Sequence, residues 1–349
     1  MLRTSDFDYQ LPPAQIAQDP LPDRAASRLL VLERASGAIR HALFSAIVDL
    51  IRPEDVLVVN VSRVIPARLR GTREAVRGRG PVGAPTELLL VRALEDGSWL
   101  AMGHPGGKLK PGRRVFFGDD SVVEVVEVLG GGLRRVKFLG PLDATGTLHK
   151  YGEVPLPPYI RRAPRPDDLE RYQTIYAQHD GSVAAPTAGL HFTGWLLERL
   201  EERGTALAKI DLHVGPGTFK PVEVENPSLH PMHSERYHVS EEAAAKINER
   251  RKQGGRVWAV GTTVARTLET VARSDGAIPP QTGDTSLFIH PPYTFRAVDA
   301  LITNFHLPRS TLLMLVAAFG GYDRVMQAYG EAVREGYRFY SYGDAMALV

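Results

Sequence analysis

The sequence predicts an α/β fold: a sheet covered by helices, interrupted by a small antiparallel β-barrel. Three observations lead there. A chain of 349 residues is longer than a single hydrophobic core comfortably serves. Beyond about residue 155, helical and extended periodicities alternate, the pattern of a sheet with helices on its faces. Residues 86–139 instead carry only short β-rich runs split by turn residues, which is how a small barrel or sandwich is written. The expected division is therefore 1–59 as the first part of the α/β domain, 60–150 as the inserted barrel, and 151–349 as the second part of the α/β domain.

The elements follow in order. LLVLER, a helical FSAIVDLI and DVLVV supply the first strands of the main sheet. TELLLVRAL, SWLAMG, RRVFF, SVVEVVEVL and LRRVKFL are barrel strands, punctuated by DG, PGGK, KPG, GDD and GGG. TGWLLERLEERG is an amphipathic helix stopped by Gly204, and TALAKIDLHV is the strand after it. SEEAAAKINERRKQGG has Ser240 as N-cap, acids in its first turn, bases in its last and Gly254 at its end. RVWAV is a buried strand, TTVARTLETVARS a helix, LFIH and AVDALIT strands, and STLLMLVAAFGG an apolar helix between Ser310 and Gly320.

Composition narrows the function classes. With 43% hydrophobic and 23% charged residues the chain is an ordinary globular protein rather than a disordered scaffold. No apolar run approaches the roughly 18 residues of a membrane span and the start is charged, so a cytoplasmic protein without membrane partners is expected. The absence of cysteine rules out disulfides, thiolate metal sites and a Cys nucleophile. The net charge of +2 hides an asymmetry: residues 60–150 hold 15 Lys and Arg against 9 Asp and Glu. The densest stretch contains Arg63, Arg68, Arg70, Arg73, Arg77 and Arg79 against Glu74, an electrostatic footprint for a polyanion or else a solvated Arg-rich face.

Five segments keep glycines and polar residues at strand ends or helix starts, where open α/β sheets hold ligands. VGTTVARTLE turns through Gly261, Thr262 and Thr263 into a helix whose free N–H groups suit a carboxylate or phosphate, or simply a threonine cap. ITNFHLPRST offers Asn304, Phe305 and His306. LHVGPGTFKPV places His213 beside Gly215 and Gly217; Pro216 and the lack of a following helix exclude a dinucleotide loop. PTAGLHF carries His191 and Phe192. HPMHSERYHV gathers His230, His233, Glu235 and His238, but their spacing matches no helical metal-ligand pair, and a solvent-facing loop is the plainer reading.

Taken together, SDFDYQLPPAQIAQDPLPDRAASRLL, VIPARLRG, PLPPYI, YQTIYA, VAAPTAGLHF, LHVGPGTFKPV, MHSE, VGTTVARTLE, LITNFHLPRSTLLMLVAAFGG and YRFYSYGDAM make the chain resemble, nearly end to end, the S-adenosylmethionine:tRNA ribosyltransferase-isomerases of queuosine biosynthesis. The resemblance implies an α/β domain interrupted by a small β-barrel. It implies that S-adenosylmethionine is a cosubstrate giving its ribosyl group to the aminomethyl group of 7-aminomethyl-7-deazaguanine at the tRNA wobble position. Epoxyqueuosine-tRNA is formed, adenine and methionine are released, and no metal or bound cofactor takes part. Protein partners are left open and a monomer is compatible. Two departures stand out: Val61 and Asp211 occupy positions where the family usually has Asn and Thr.

Such chemistry needs a base beside the sulfonium and a proton for departing adenine, tasks suited to histidine. The candidates are His191, His213, His233 and His306, with His213 and His306 favoured, while Glu235 and Asp344 can serve as base or hold the guanine-like edge. Thr262, Thr263 and Arg266 are expected to hold the methionine carboxylate, with Asn304, Gly215 and Gly217 nearby. Phe192, Phe305 and Tyr342 are the candidate aromatic faces for the sulfonium. The six arginines are the expected tRNA path, with Arg161, Arg162 and Arg165 as the alternative footprint. A methyltransferase lacks support because no glycine-rich loop follows the first strand, and a purely RNA-binding protein would not need the histidine-bearing strand ends.

Overall fold

The computed structural model describes residues 2–74, 83–215 and 221–349. Its centre is a nine-stranded sheet in the order Gln281–Thr285, Glu235–Val239, Ala206–Leu212, Val56–Asn60, Val257–Val260, Ala300–Asn304, Ala345–Leu348, Arg28–Leu32, Ile39–Leu43. The four strands from Ala206–Leu212 to Ala300–Asn304 are parallel, and Ala345–Leu348 runs against them. Apolar residues of one strand alternate between two cores on opposite faces. Val56 and Val58 enter one, Leu57 and Val59 the other. Burial on both faces is why these strands read as unbroken hydrophobic runs.

The helix signals correspond to observed contacts. Ser240 Oγ accepts from the Ala243 N–H at 3.1 Å ahead of Glu241–Lys252. Ser310 does the same for Leu313, at 3.2 Å, ahead of Thr311–Gly320. Each cap satisfies an N–H that the helix itself cannot.

All five expected barrel runs form strands, and Arg68–Arg73 adds a sixth that pairs with Arg114–Phe117 to close the barrel. Leu69, Leu88, Leu90, Val115, Phe117 and Val136 fill its interior. Closure depends on Gly71: a Cβ there would lie 2.4 Å from the Phe116 carbonyl and 2.6 Å from the Phe117 ring. The Arg68–Arg73 strand escapes sequence reading because its outward positions are arginines, which look like a charged surface stretch.

One expected strand is displaced. LFIH is not extended pairing; the edge strand is the preceding Gln281–Thr285, antiparallel to Glu235–Val239. Its polar residues are mostly exposed, whereas Leu287 and Phe288 pack on the core from a connecting segment, so hydrophobicity pointed to the wrong neighbour. Among the described residues no helix is long and apolar enough to cross a membrane.

Candidate functional site

Two cavities meet where the Ala206–Leu212 strand ends. Val214 faces a narrow cavity of about 40 Å³, while His213 and Gly215 face a cleft of about 710 Å³. The cleft has an apolar wall from the barrel, including Trp99, Met102 and Leu133, and a polar wall from the sheet edge, including His213, His233, Glu235 and Arg236.

His213 donates its backbone N–H to the Arg236 carbonyl at 3.0 Å. Its ring lies against Gly181, where a Cβ would stand 2.6 Å from both Cε1 and Nδ1. Gly181 has φ 143°, so glycine is favoured there twice over, for conformation and for space. Among the described residues the buried Nδ1 has no partner. Burial lowers the proton affinity of the ring, and the nearby Asp211 carboxylate opposes that shift. The result is a neutral imidazole on a residue that lines the cleft, and neutral is the form a general base requires.

Glu235 is buried; its Oε1 accepts from the Gly215 N–H at 2.8 Å, and its carboxylate pairs with Arg266. Burial pulls the Arg266 guanidinium down to about 10, and the pairing keeps a carboxylate charged where it would otherwise be costly. Arg266, expected beside Thr262 and Thr263 on the donor carboxylate, has Glu235 as its ion-pair partner. His233 is exposed on the cleft rim. Among the described residues no group of three or more His, Asp or Glu side chains is arranged to hold a metal ion.

The narrow cavity lies at the start of the Thr262–Val271 helix. Gly261, φ 97°, turns the chain into that helix and provides no side-chain cap, and Thr262, Thr263, Asn304, His306, Tyr159 and Tyr340 line the space. His306 shares a hydrogen bond with Thr303 Oγ1 at 2.7 Å, and its backbone carbonyl accepts from the Tyr9 hydroxyl. Burial drives its pKa down to about 3.

His191 uses both ring nitrogens. Asn304 Nδ2 donates to Nε2 at 3.1 Å. Nδ1 then carries the proton and donates to Ser27 Oγ at 2.7 Å, while Ser27 donates to the Arg24 carbonyl. Burial holds this ring also at about 3. Asp344 accepts from the backbone N–H groups of Arg28 and Arg338 at 2.9 and 2.7 Å, and burial raises its pKa. Both residues tie strands together and neither faces the cleft.

Of the three expected aromatic faces, Phe192 and Tyr342 line neither the cleft nor the narrow cavity. Phe192 packs edge-on against Phe44, Phe305 packs among Tyr329, Tyr337 and Phe339, and both are fully buried. The Tyr342 hydroxyl donates to Asp168 at 2.9 Å. Phe305 also lines the narrow cavity, with Tyr159 and Tyr340, whose ring centroids are 4.6 Å apart. Tyr340 adopts φ 72°, an uncommon conformation for a bulky residue. Sequence reading passed over both: Tyr340 stands between Tyr337 and Tyr342, and Tyr159 ends the proline-rich PLPPY.

The arginines are partly occupied. Arg68 donates to the Leu156 carbonyl and pairs with Glu87 at 3.2 Å. Arg70 lies between Glu87 and Glu153 at 3.6 and 3.5 Å, and Arg63 donates to the Ala177 carbonyl and lies 3.7 Å from Asp180. Arg73 has a buried Nη1 without a partner among the described residues. Arg77, Arg79 and Gly217 lie outside the described residues. In the alternative footprint, Arg161 is exposed, Arg162 pairs with Asp168, and Arg165 pairs with Asp19. Of the two departures, Val61 is a buried core residue, and Asp211 pairs with the exposed His179 at 2.9 Å.

Comparison with known proteins gives a consistent result. The profile of the family described as "Queuosine biosynthesis protein" matches residues 4–348. The S-adenosylmethionine:tRNA ribosyltransferase-isomerase of Symbiobacterium thermophilum is 53% identical over 349 residues, covering 100% of both chains. That of Thermotoga maritima is 50% identical over 351 residues with the same coverage. The crystal structure of S-adenosylmethionine tRNA ribosyltransferase from Thermotoga maritima matches with a TM-score of 0.56 at 41% identity, covering 99% of this chain and 100% of that one.

Proposed function

This chain belongs to the queuosine biosynthesis protein family, as an S-adenosylmethionine-using ribosyltransferase-isomerase, and on that premise we propose how and where it runs its reaction. The donor S-adenosylmethionine loses its ribosyl carbons to the aminomethyl group of 7-aminomethyl-7-deazaguanine in tRNA. Adenine and methionine leave and epoxyqueuosine-tRNA remains. The cleft beside the barrel is the reaction chamber, with room for a nucleoside and an extruded base. The observation that carries this reading is the neutral ring of His213 on the cleft wall, its Nδ1 without a partner among the described residues.

In this reading His213 removes a proton from the ribose carbon bonded to sulfur, whose acidity the sulfonium raises. The same imidazolium, or a water beside it, returns a proton to adenine as it departs. Glu235, held by Arg266 and the Gly215 N–H, stands at the same wall and accepts N–H groups of the deazaguanine edge. Arg266 is a positioning residue rather than a ligand to the methionine carboxylate, and that part of the donor falls to Thr262 and Thr263. The arginine-rich stretch Arg63 through Arg79 guides the tRNA backbone. The reaction proceeds in the cytoplasm without a bound cofactor.

Product analysis tests the reaction. Incubation with S-adenosylmethionine and tRNA carrying the aminomethyl-deazaguanine is expected to release adenine and methionine in equal amounts. Formation of S-adenosylhomocysteine with a methylated tRNA would contradict it.

A further inference from the structure

On the face of the sheet that carries His213 stands a second acid, one that does not line the cleft. The Ala206–Leu212 strand continues its antiparallel pairing past its end: Asp211 lies opposite His238, and the His213 N–H reaches the Arg236 carbonyl at 3.0 Å. Alternate residues of a strand share a face. Ile210, Leu212 and Val214 take the core face, so Asp211 and His213 stand together on the other, roughly 7 Å apart along the strand.

The His179–Ser182 strand runs beside these residues and divides their surroundings. His179 Nδ1 lies 2.9 Å from both carboxylate oxygens of Asp211, Gly181 lies against the His213 ring, and Ser182 Oγ accepts from the Val214 N–H at 3.0 Å. His213 and Gly181 line the cleft. Asp211 and His179 line a separate cavity of about 450 Å³. A substrate in the cleft therefore meets His213, while Asp211 acts on that ring only through space.

Burial and pairing decide which neighbouring charge matters. Glu235 is already paired with Arg266, Asp180 is exposed and 3.7 Å from Arg63, and Arg236 and His233 are exposed. Arg92 and His149 stand on the barrel wall of the cleft. Exposed charges are screened by water and salt, whereas Asp211 is only 8% exposed. Burial pulls the His213 ring down; Asp211 pushes back, and Arg236 and His179 side with burial. A carboxylate near an imidazole favours the protonated ring, so it strengthens the ring as a proton acceptor.

We propose that Asp211, gripped by His179, is a positioning residue for the reaction: its charge, beside His213 but outside the cleft, sets the strength of that ring as a base. The proposal rests on the reading that His213 removes the ribose proton, and adds what makes the ring strong enough to do so. Without the Asp211 charge the ring would stay neutral to lower pH and would accept a proton less readily.

Two measurements on the full chain separate this coupling from the reading beneath it. Histidine ring signals followed by NMR against pH report the His213 pKa, with His213→Gln identifying the signal, while the acid limb of kcat reports the base. Asp211→Asn keeps a hydrogen-bond partner for His179 and removes the charge. It is expected to lower the ring pKa and the acid limb together by about 0.5 to 1.5 pH units, and to lower the kcat plateau about two- to tenfold because a weaker base abstracts the proton more slowly. Asp211→Thr, also neutral and able to accept from His179, carries the same expectation should the Asn variant fold poorly. A ring pKa that is unmoved or raised overturns the proposal whatever the rate does, and leaves His213 as the base. A ring pKa that falls while the acid limb stays in place overturns it differently, because the base is then another group and the reading itself fails.

Discussion

His191 and His306, buried around Asn304, and His213 and His233, beside the cleft, are the four candidate imidazoles, and the fold treats the two pairs differently. His191 has both ring nitrogens bonded and His306 is bonded to Thr303, each fully enclosed and held neutral with a pKa near 3. His213 lines the cleft, and its buried Nδ1 has no partner among the described residues. Position at a strand end is therefore a weak guide to chemistry. What separates a working group from a structural one is whether the protein has already used its hydrogen bonds.

The sharpest way to break this contrast is to remove His213. His213→Gln is expected to lower kcat by about 10²- to 10⁴-fold, the range of a lost general acid–base, with the unfolding midpoint nearly unchanged because Nδ1 supports nothing. Steady-state adenine release beside a thermal melt checks both halves.

His191→Ala should do the reverse. It leaves a cavity and strands Ser27 and Asn304, at a cost of about 2–4 kcal/mol in stability, while activity per folded molecule falls less than tenfold. Urea unfolding with a titration of active sites distinguishes the two losses.

Gly181→Ala sharpens the comparison from the cleft side. Its Cβ would push the His213 ring out of place, so kcat should fall at least about tenfold with donor KM unchanged, alongside about 1–3 kcal/mol of backbone strain. A pH–rate profile whose His limb moves, absent from a purely structural defect, identifies the cause.

Acid stability gives a gentler test. In the folded state His191 and His306 titrate near 3, against 6.5 when free. As pH falls below 6.5 the unfolded chain binds protons that the native chain refuses, so stability declines from there toward pH 3, by up to about 1.4 kcal/mol per pH unit for each ring. His306→Gln should make that decline shallower, measured by urea unfolding between pH 7 and 4, whereas His213→Gln should change it less.

The smallest effect is expected at the barrel. Arg70 is already engaged by Glu87 and Glu153, so Arg70→Ala should alter the salt dependence of tRNA binding by less than the 0.7 to 0.9 in log–log slope expected of a full phosphate contact. A shift of full size would show that Arg70 leaves those carboxylates when tRNA docks.

Much of this was legible from the residues. Strand runs, Ser and Thr caps and glycine stops are local signals, so the sheet, its helices and five of the barrel strands could be read directly. Local signals failed where tertiary pairing decided the outcome. The Arg68–Arg73 strand hides behind its outward arginines, and Gln281–Thr285 is a strand only because Glu235–Val239 lies beside it. At the site, sequence brought the right segments forward but could not sort them. Asp344 and His191 looked reactive until their partners were counted, and Arg266 looked available until Glu235 was found against it. Tyr159 and Tyr340 carried no signal beyond being tyrosines, and the value of Gly181 emerges only once the His213 ring is seen to lie on it.

The central claim, that His213 is the base, is tested most directly by hydrogen exchange at the ribose carbon next to sulfur. S-adenosylmethionine deuterated at that carbon would be incubated with the enzyme and its tRNA substrate in ordinary water, and the remaining deuterium read by mass spectrometry in recovered donor and product. Wild-type protein and His306→Gln are expected to lose the label, and His213→Gln to retain it while still binding the donor. Loss of label at the wild-type rate from His213→Gln, or its retention by His306→Gln alone, would contradict the assignment.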